Sequence, residues 1–247
     1  MRNAETILSI IRKYGQNGLP VKDIYRLLYQ KDLYLQAYAK LYRNAGAMTK
    51  GITDETVDGM SLEKIDMIID ALRKEKYRWT PVKRVYVNKK DGKLRPLGLP
   101  AWSDKLLQEV IRLIMEAYYE PKFSTHSHGF RPSRGCHTAL REVMHKGKGA
   151  KWFIEGDLSQ CFDKIDHEIL LNILKENFQD NRFIRLIASL LKAGYMEDWK
   201  FNKTFSGVPQ GGLCKALHNS PYAKKVIMRS NLSNHMTNNN YPIFYFA

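Results

Sequence analysis

The sequence predicts an α+β fold in which a helical N-terminal part precedes mixed helices and strands. Three observations predict it. Apolar side chains recur at helical spacing over residues 4–76, strand-like patterns follow over 83–100, and an apolar strand at 152–157 precedes two further helical patterns. Because 44% of the residues are hydrophobic, the chain can bury a sizeable core.

The first predicted elements are helices. An apolar stripe that begins near Ile7 ends at the turn-forming run 15–18, and helical spacing resumes beyond it. Ser61 is a suitable N-cap for a helix beginning at Leu62, and Glu63 lies in the first turn, where the helix dipole favours an anion. Thr80-Pro81 closes this helical region.

A hairpin with a basic tip is predicted next. Residues 83–87 are rich in β-forming side chains, Asp91-Gly92 is a turn signal, and 94–100 forms the second arm. Pro96 has no N–H to donate, which places that arm at a sheet edge. Ser103 is then predicted to cap a long amphipathic helix that ends near Glu120.

The later elements are less regular. A loop leads into a helix predicted over about 133–145, and the strand 152–157 is followed by helices near 166–178 and 181–192. Asp166 is expected to cap the first of these two helices. A further strand is expected over 200–205 and a stiff loop over 207–212. Beyond Gly212 the sequence has no clean periodicity.

The charge points to a polyanionic partner. Forty Lys and Arg against 25 Asp and Glu give a net charge of +15, which favours nucleic acid. The charge is uneven: Asp198 is the last carboxylate, so residues 199–247, with six Lys and Arg, carry +6.

Several classes of protein are disfavoured. No apolar run approaches the ~18 residues of a membrane span, and no signal peptide is evident, so we expect a cytoplasmic protein without a membrane partner. The three cysteines suggest neither a disulfide framework nor a zinc site. The histidines near Cys136 also lack a recognised zinc-ligand spacing.

Asp157 is the first candidate for chemistry. It closes an apolar strand and leads into a loop, a place where a carboxylate can hold Mg²⁺ together with phosphate oxygens. A strand-end aspartate that satisfies a local turn is the alternative, and taken alone it is the commoner arrangement. Asp163 fits a turn better than a metal site.

Basic residues supply the other candidates. The hairpin carries Lys89, Lys93 and Arg95, which can lie over a triphosphate or simply form a solvated tip. Arg131 and Arg134 flank a proline and are consistent with either phosphate contacts or a structural salt bridge. Gln210 presents one amide from its glycine-flanked loop, a turn-like feature when taken alone.

The order of these features resembles one family, the reverse transcriptases encoded by group II introns, also called intron maturases. The resemblance covers about residues 20–212. The motifs that carry it are, in chain order, Arg95-Pro96-Leu97-Gly98-Leu99-Pro100, Asp104 with Gln108, Ser127-His128-Gly129-Phe130-Arg131-Pro132 with Arg134, Asp157 followed by Phe162-Asp163 and Asp166-His167, and Gly207-Val208-Pro209-Gln210-Gly211-Gly212.

The resemblance implies fingers and palm subdomains, with an RNA-recognition-like palm sheet, and DNA synthesis on an RNA template with Mg²⁺. It divides the chain into an N-terminal extension that binds intron RNA (1–80), fingers (81–150), a partial palm (151–212) and a divergent basic tail (213–247). Its partners would be group II intron RNA, an RNA template with a DNA primer, and deoxynucleoside triphosphates.

By motif, the family's roles fall on named residues of this sequence. Asp157 resembles the first palm carboxylate that binds metal, with the Leu158 carbonyl beside it. Phe162 resembles the bulky side chain that excludes a 2′-OH. Lys89 and Arg95 resemble the fingers residues that meet the incoming triphosphate, and Gln210 resembles the loop residue that lines the nucleotide pocket. Lys93, Arg131 and Arg134 are predicted, from their charge, to contact nucleic acid.

The sequence departs from the family after Gly212. The second metal motif of the palm, an aromatic residue followed by any residue and two aspartates, is absent, since no carboxylate follows Asp198. A frameshift, a rearrangement or an insertion before Ser220 would each explain the change. We therefore expect that this chain alone does not synthesise DNA. The alternatives are a non-catalytic RNA-binding fragment that assists splicing and a degenerate, unstable remnant.

Overall fold

Helices dominate the structure, and a small sheet lies beside them. The computed structural model describes residues 3–44, 46–88, 92, 94–129, 131–149 and 165–204. The helices are α1 (Ala4–Gln16), α2 (Ile24–Leu27), α3 (Lys31–Tyr42), α4 (Leu62–Arg73), α5 (Trp102–Tyr119), α6 (Cys136–Lys146), α7 (His167–Asn177) and α8 (Asn181–Leu191). The strands are β1 (Val82–Asn88), β2 (Leu94–Leu99), β3 (Tyr195–Glu197) and β4 (Lys200–Asn202). The predicted α+β class is confirmed.

Helix α5 is the centre of the core. Most of its residues are buried, as expected for a helix whose apolar side chains extend beyond a single stripe. Helices α1 and α3 both pack against it. The crossing of α1 and α5 is close at Gly15, where a Cβ atom would lie 2.0 Å from the carbonyl oxygen of Tyr118.

The N-terminal helices are tied directly to α7 and α8. Val21 pairs with the end of α7: its N–H donates to the carbonyl of Asn177 at 2.8 Å, and its own carbonyl accepts from Gln179 N–H at 2.9 Å. The buried Asp180 carboxylate accepts the backbone N–H of Tyr25 at 3.0 Å. One continuous core therefore includes residues of the N-terminal, central and C-terminal described segments.

The helix caps follow the local sequence. Ser61 accepts the backbone N–H of Lys64, and Asp166 accepts the N–H groups of Glu168 and Ile169, so both predicted caps are confirmed. These side chains satisfy N–H groups that the first turn of a helix leaves without an intrahelical acceptor. Helices α7 and α8 lie close to their predicted ranges.

Three local predictions were wrong. Ser103 does not cap α5: the helix begins at Trp102, and the Ser103 hydroxyl donates instead to the Glu55 carboxylate at 3.0 Å. Helix α6 begins at Cys136 rather than Ser133, because Ser133 has a φ of 58° and cannot continue a right-handed helix. The helical pattern predicted over 4–76 is interrupted between α3 and α4, where the described residues form a short 3₁₀ turn at Val57–Gly59 and no α-helix.

The described strands form one sheet with the order β2-β1-β3-β4. Strands β1 and β2 are antiparallel, as predicted, and Pro96 lies on the edge strand β2. Strand β3 was not predicted. It pairs in parallel with β1, with Val82 opposite Tyr195, and antiparallel with β4. Strand β4 covers the first three residues of the strand predicted over 200–205.

Three regions with sequence predictions lie outside the residues that the structure describes. The predicted strand 152–157, the loop 207–212 and the basic tail 213–247 lie outside the described residues. Among the helices that are described, none combines the length and apolar character that crossing a bilayer requires.

Candidate nucleic-acid interface

The sequence-predicted site residues divide into two groups. Arg95, Arg131 and Arg134 lie in described parts of the chain, on β2 and on the loop before α6. The others lie outside the described residues: Lys89, Lys93, Asp157, Leu158, Phe162 and Gln210. Within the described ranges, no group of three or more His, Cys, Asp or Glu could hold a metal ion. The predicted magnesium ligands therefore stay predictions.

A buried carboxylate positions the start of the basic hairpin. Asp104, on α5, accepts the Tyr77 hydroxyl at 2.6 Å and the backbone N–H of Thr80 at 2.8 Å, which holds the chain entering β1 against the central helix. Burial raises the pKa of Asp104, and these two hydrogen bonds oppose that shift. In the sequence, Asp104 belongs to the Asp104 and Gln108 motif, which does not by itself predict these hydrogen bonds.

The hairpin presents basic side chains on both faces. Arg95, the second residue of β2, is opposite Val87, and Arg84 is opposite Gly98. Because side chains alternate along a strand, Arg84 and Arg95 point to opposite faces of the sheet. The Arg84 guanidinium lies 3.5 Å from the centre of the Tyr195 ring on β3, a cation–π contact.

The loop 123–135, before α6, is folded around two arginines. The Arg131 guanidinium donates to the Glu120 carboxylate at 2.8 and 3.0 Å and to the carbonyls of Ser124 and Ser127 at 2.8 and 2.9 Å. Its side chain is 6% exposed. Arg134 donates to the carbonyls of Thr125 and Ser127. These contacts favour the structural alternative for Arg131, and a phosphate contact by either arginine stays a prediction.

A cluster on α6 secures the same loop. Within it, the Glu142 carboxylate contacts His126 Nδ1 at 2.5 Å, His128 Nε2 at 2.6 Å and Lys146 Nζ at 2.7 Å. The Nδ1 atom of the buried His128 lies 2.9 Å from the Thr138 hydroxyl. Hydrogen bonds from Lys146 and the two histidines lower the pKa of Glu142 to about 2. These histidines thus orient the loop.

The β3–β4 hairpin lies in the same sheet as the basic hairpin, next to β1. The Tyr86 hydroxyl of β1 donates to the Glu197 carboxylate, which also lies 4.0 Å from Arg84. The two strands are joined by Asp198 and Trp199 alone. Sequence reasoning missed this hairpin because a turn without glycine or asparagine is a weak signal. The alternation of apolar and polar residues over 199–202 was the signal available.

Comparison with known proteins decides the family. A model of the reverse transcriptase family (RNA-dependent DNA polymerase) matches residues 87–246, more than half of the chain. The chain belongs to the reverse transcriptase family. The matched range contains Asp157, Phe162 and Gln210, which the sequence motifs had singled out.

Curated relatives of this chain include intron-encoded proteins. The group II intron-encoded protein LtrA of Lactococcus lactis subsp. cremoris is 47% identical over 220 residues, which cover 88% of this chain and 37% of LtrA. An uncharacterized 91 kDa protein in a cob intron of Schizosaccharomyces pombe is 44% identical over 78% of this chain and 24% of that protein. The resemblance to group II intron reverse transcriptases and maturases is confirmed.

A solved structure supports the fold. One chain of a partial Cas6-RT-Cas1–Cas2 complex matches 83% of this chain with a TM-score of 0.54 and 17% identity, and the match covers 34% of that chain. At that identity the match shows the fold alone. The chain spans little more than a third of the length of the curated relative LtrA.

Proposed function

We propose that this chain is the fingers and palm portion of a group II intron RNA-directed DNA polymerase, with an N-terminal part that binds intron RNA. The observation that carries the proposal is the family match over 87–246, which contains the palm motif at Asp157 and the loop motif at Gln210. The partners proposed are intron RNA, an RNA template with a DNA primer, and deoxynucleoside triphosphates. A cytoplasmic location also stays a prediction.

The chemistry follows from the residues that match the family motifs. Asp157 and the Leu158 carbonyl are oxygen donors of the kind that Mg²⁺ prefers, and bound Mg²⁺ would activate the primer 3′-OH and stabilise the leaving pyrophosphate. Arg95 and Lys89 would bind the triphosphate, since guanidinium and ammonium groups contact phosphate oxygens. Phe162 would exclude a 2′-OH by steric clash.

We further propose that the 247-residue chain does not polymerise DNA by itself. Two magnesium ions need at least two carboxylates to hold them about 4 Å apart. The sequence after Asp198 contains no carboxylate, so Asp157 lacks the second acidic pair that the family's palm supplies. The continuous core of the described helices supports a folded chain rather than an unstable remnant.

Primer extension on poly-rA/oligo-dT with Mg²⁺ tests this proposal. We expect no product above background from the 247-residue chain, and none from Asp157→Ala. Product that disappears in Asp157→Ala would overturn the proposed inactivity while supporting the catalytic role of Asp157. Failure of the wild-type chain to bind RNA at low salt would instead overturn the proposed RNA-binding function.

A further inference from the structure

The turn between β3 and β4 holds a bulky residue in an unfavourable backbone conformation. Asp198 has a φ of 48° and Trp199 a φ of 62°. A two-residue hairpin of this type needs positive φ at both central positions, and asparagine and glycine usually supply it. A tryptophan adopts that conformation only against a steric penalty. The hairpin therefore carries a residue that its own turn disfavours.

The Trp199 side chain contributes nothing to the core. It is 97% exposed, the largest exposed fraction among the large hydrophobic side chains of the described residues. Covering exposed aromatic surface with a ligand removes it from water and so lowers the free energy of the complex. A side chain that is both conformationally disfavoured and uncovered is therefore better explained by binding than by folding.

The sheet topology places Trp199 beside the basic hairpin. Because β3 runs parallel to β1, the β3–β4 turn lies at the end of the sheet toward which β1 runs. Lys83 of β1 is opposite Met196 of β3, so Glu197, the last residue of β3, is level with Arg84. Strand β1 ends only at Asn88 and therefore extends beyond the β3–β4 turn. The β3–β4 turn that contains Trp199 therefore lies level with the outer half of β1, in the same sheet as the strand β2 that carries Arg95.

The charges around the indole favour a polyanion. Lys200 follows it directly, Lys203 lies four residues beyond it, and both lysines are exposed. The Glu197 carboxylate is already engaged by Tyr86 and Arg84, which leaves Asp198 as the opposing charge in the turn. An exposed aromatic side chain with lysines close to it in sequence is typical of sites where unpaired bases stack on the ring while their phosphates contact the lysines. An apolar protein partner would instead be disfavoured by burying these lysines.

We propose that Trp199, with Lys200 and Lys203, is a binding site for single-stranded RNA in which one base stacks on the indole. The inference rests on the proposed function, because it assigns the RNA partner to a particular surface. The interior base pairs of duplex RNA are excluded from this mode, since they are already stacked on both faces.

Fluorescence anisotropy with a labelled oligo-rU tests the proposal on the full 247-residue chain. Trp199→Ala should weaken binding of the single strand by about tenfold, the typical effect of losing one stacked base. Trp199→Phe keeps an aromatic face and should retain most of the affinity. Met144→Ala, on α6, is the matched control, because Met144 is also an exposed apolar side chain and lies outside the N-terminal part proposed to bind intron RNA, and it should bind as wild type does.

Two further measurements separate RNA binding from a structural role. Trp199→Gly should have a Tm at least as high as wild type, because glycine tolerates positive φ, and yet bind oligo-rU as weakly as Trp199→Ala does. Affinity for a blunt RNA duplex should be unchanged in every Trp199 variant. The proposal fails if Trp199→Gly lowers the Tm, or if duplex binding weakens as much as single-strand binding does.

Other outcomes are equally decisive. If wild type binds oligo-rU and Trp199→Ala binds it equally well, the Trp199 site is overturned while the proposed RNA-binding function stands. If Trp199→Ala leaves RNA affinity unchanged but abolishes self-association in sedimentation, the surface belongs to a second copy of the chain. If wild type binds no RNA, both proposals fall together.

Discussion

Glu142 is the residue that links the loop 123–135 to α6. Its carboxylate joins two loop histidines, His126 and His128, to Lys146 on its own helix. The donors surround a side chain that is only 14% exposed. A charged acceptor is thus held in place by three donors, and its protonation would remove their common partner.

The first prediction concerns the dependence of stability on pH. The pKa of Glu142 is about 2 in the folded chain against an ordinary 4.5, so its stabilising contribution is complete above about pH 4.5 and is lost as the pH falls toward 2. The unfolding free energy of Glu142→Gln should therefore fall less steeply than that of wild type as the pH is lowered from about 4.5 to 2. Urea unfolding at stepped pH measures it. Asp58→Asn, which removes an exposed carboxylate, is the control, and equal slopes for Glu142→Gln and wild type would contradict the prediction.

For single residues, the sequence predicts those hydrogen bonds whose partners are close neighbours along the chain. The caps at Ser61 and Asp166 depend on an N–H two or three residues away, and both were predictable. The partner of Arg131 was left open, because Glu120 lies eleven residues earlier and only the fold of the loop brings the two together. The Ser103 prediction was wrong for the same reason, since Glu55 is distant in sequence.

At the scale of elements, the contact between α1 and α5 depends on the absence of a side chain. Gly15 lies against the backbone of Tyr118, and a Cβ atom there would be 2.0 Å from the carbonyl oxygen and 2.9 Å from the carbonyl carbon. Backbone cannot rotate away as a flexible side chain can. The two helices would have to separate to admit a methyl group.

We predict that Gly15→Ala destabilises the chain, although alanine is the better helix former by about 1 kcal/mol. Overpacking against backbone should outweigh that gain and lower the unfolding free energy by about 2 kcal/mol net. Thermal or urea unfolding measures the change. Gly59→Ala is the matched control, because the nearest atom to its Cβ would be 3.9 Å away. A Gly15→Ala chain as stable as wild type would show that the helices do not cross as described.

The helices and the β1–β2 hairpin were predictable as elements, and the order of the strands was not. Periodicity and capping identified α4, α7 and α8, because these signals are local. Strand β3 has three residues, and its partner β1 lies more than a hundred residues earlier. A pattern that short carries too little information to specify so distant a pairing.

At the scale of the whole molecule, segments that the sequence assigns to different subdomains share one core. Helices α1 and α3 pack on α5, and Val21 pairs with the end of α7. The boundaries at residues 80, 150 and 212 therefore stay predictions about function. The family was predictable, because several motifs occur in order, whereas the palm residues around Asp157 lie outside the described chain.

The net charge of +15 leads to a prediction about salt. If RNA binding is mainly electrostatic, the logarithm of the binding constant should fall linearly with the logarithm of salt concentration, by about 0.7 per phosphate contacted on a single strand. Anisotropy titrations of wild type from low to physiological salt give that slope. Changing the anion at fixed concentration is the control. An affinity that does not change with salt would contradict a phosphate-binding role for the excess positive charge.

The parallel pairing of β1 with β3 also has a consequence for how the chain is made. Strands β1 and β2 emerge from the ribosome early and can pair at once as a local hairpin, whereas β3 and β4 are synthesised more than a hundred residues later. Until then one edge of β1 stays open. Closing such a long loop is slow compared with forming helices and hairpins. The sheet is therefore expected to be among the last parts of the nascent protein to assemble, after the helical core has formed.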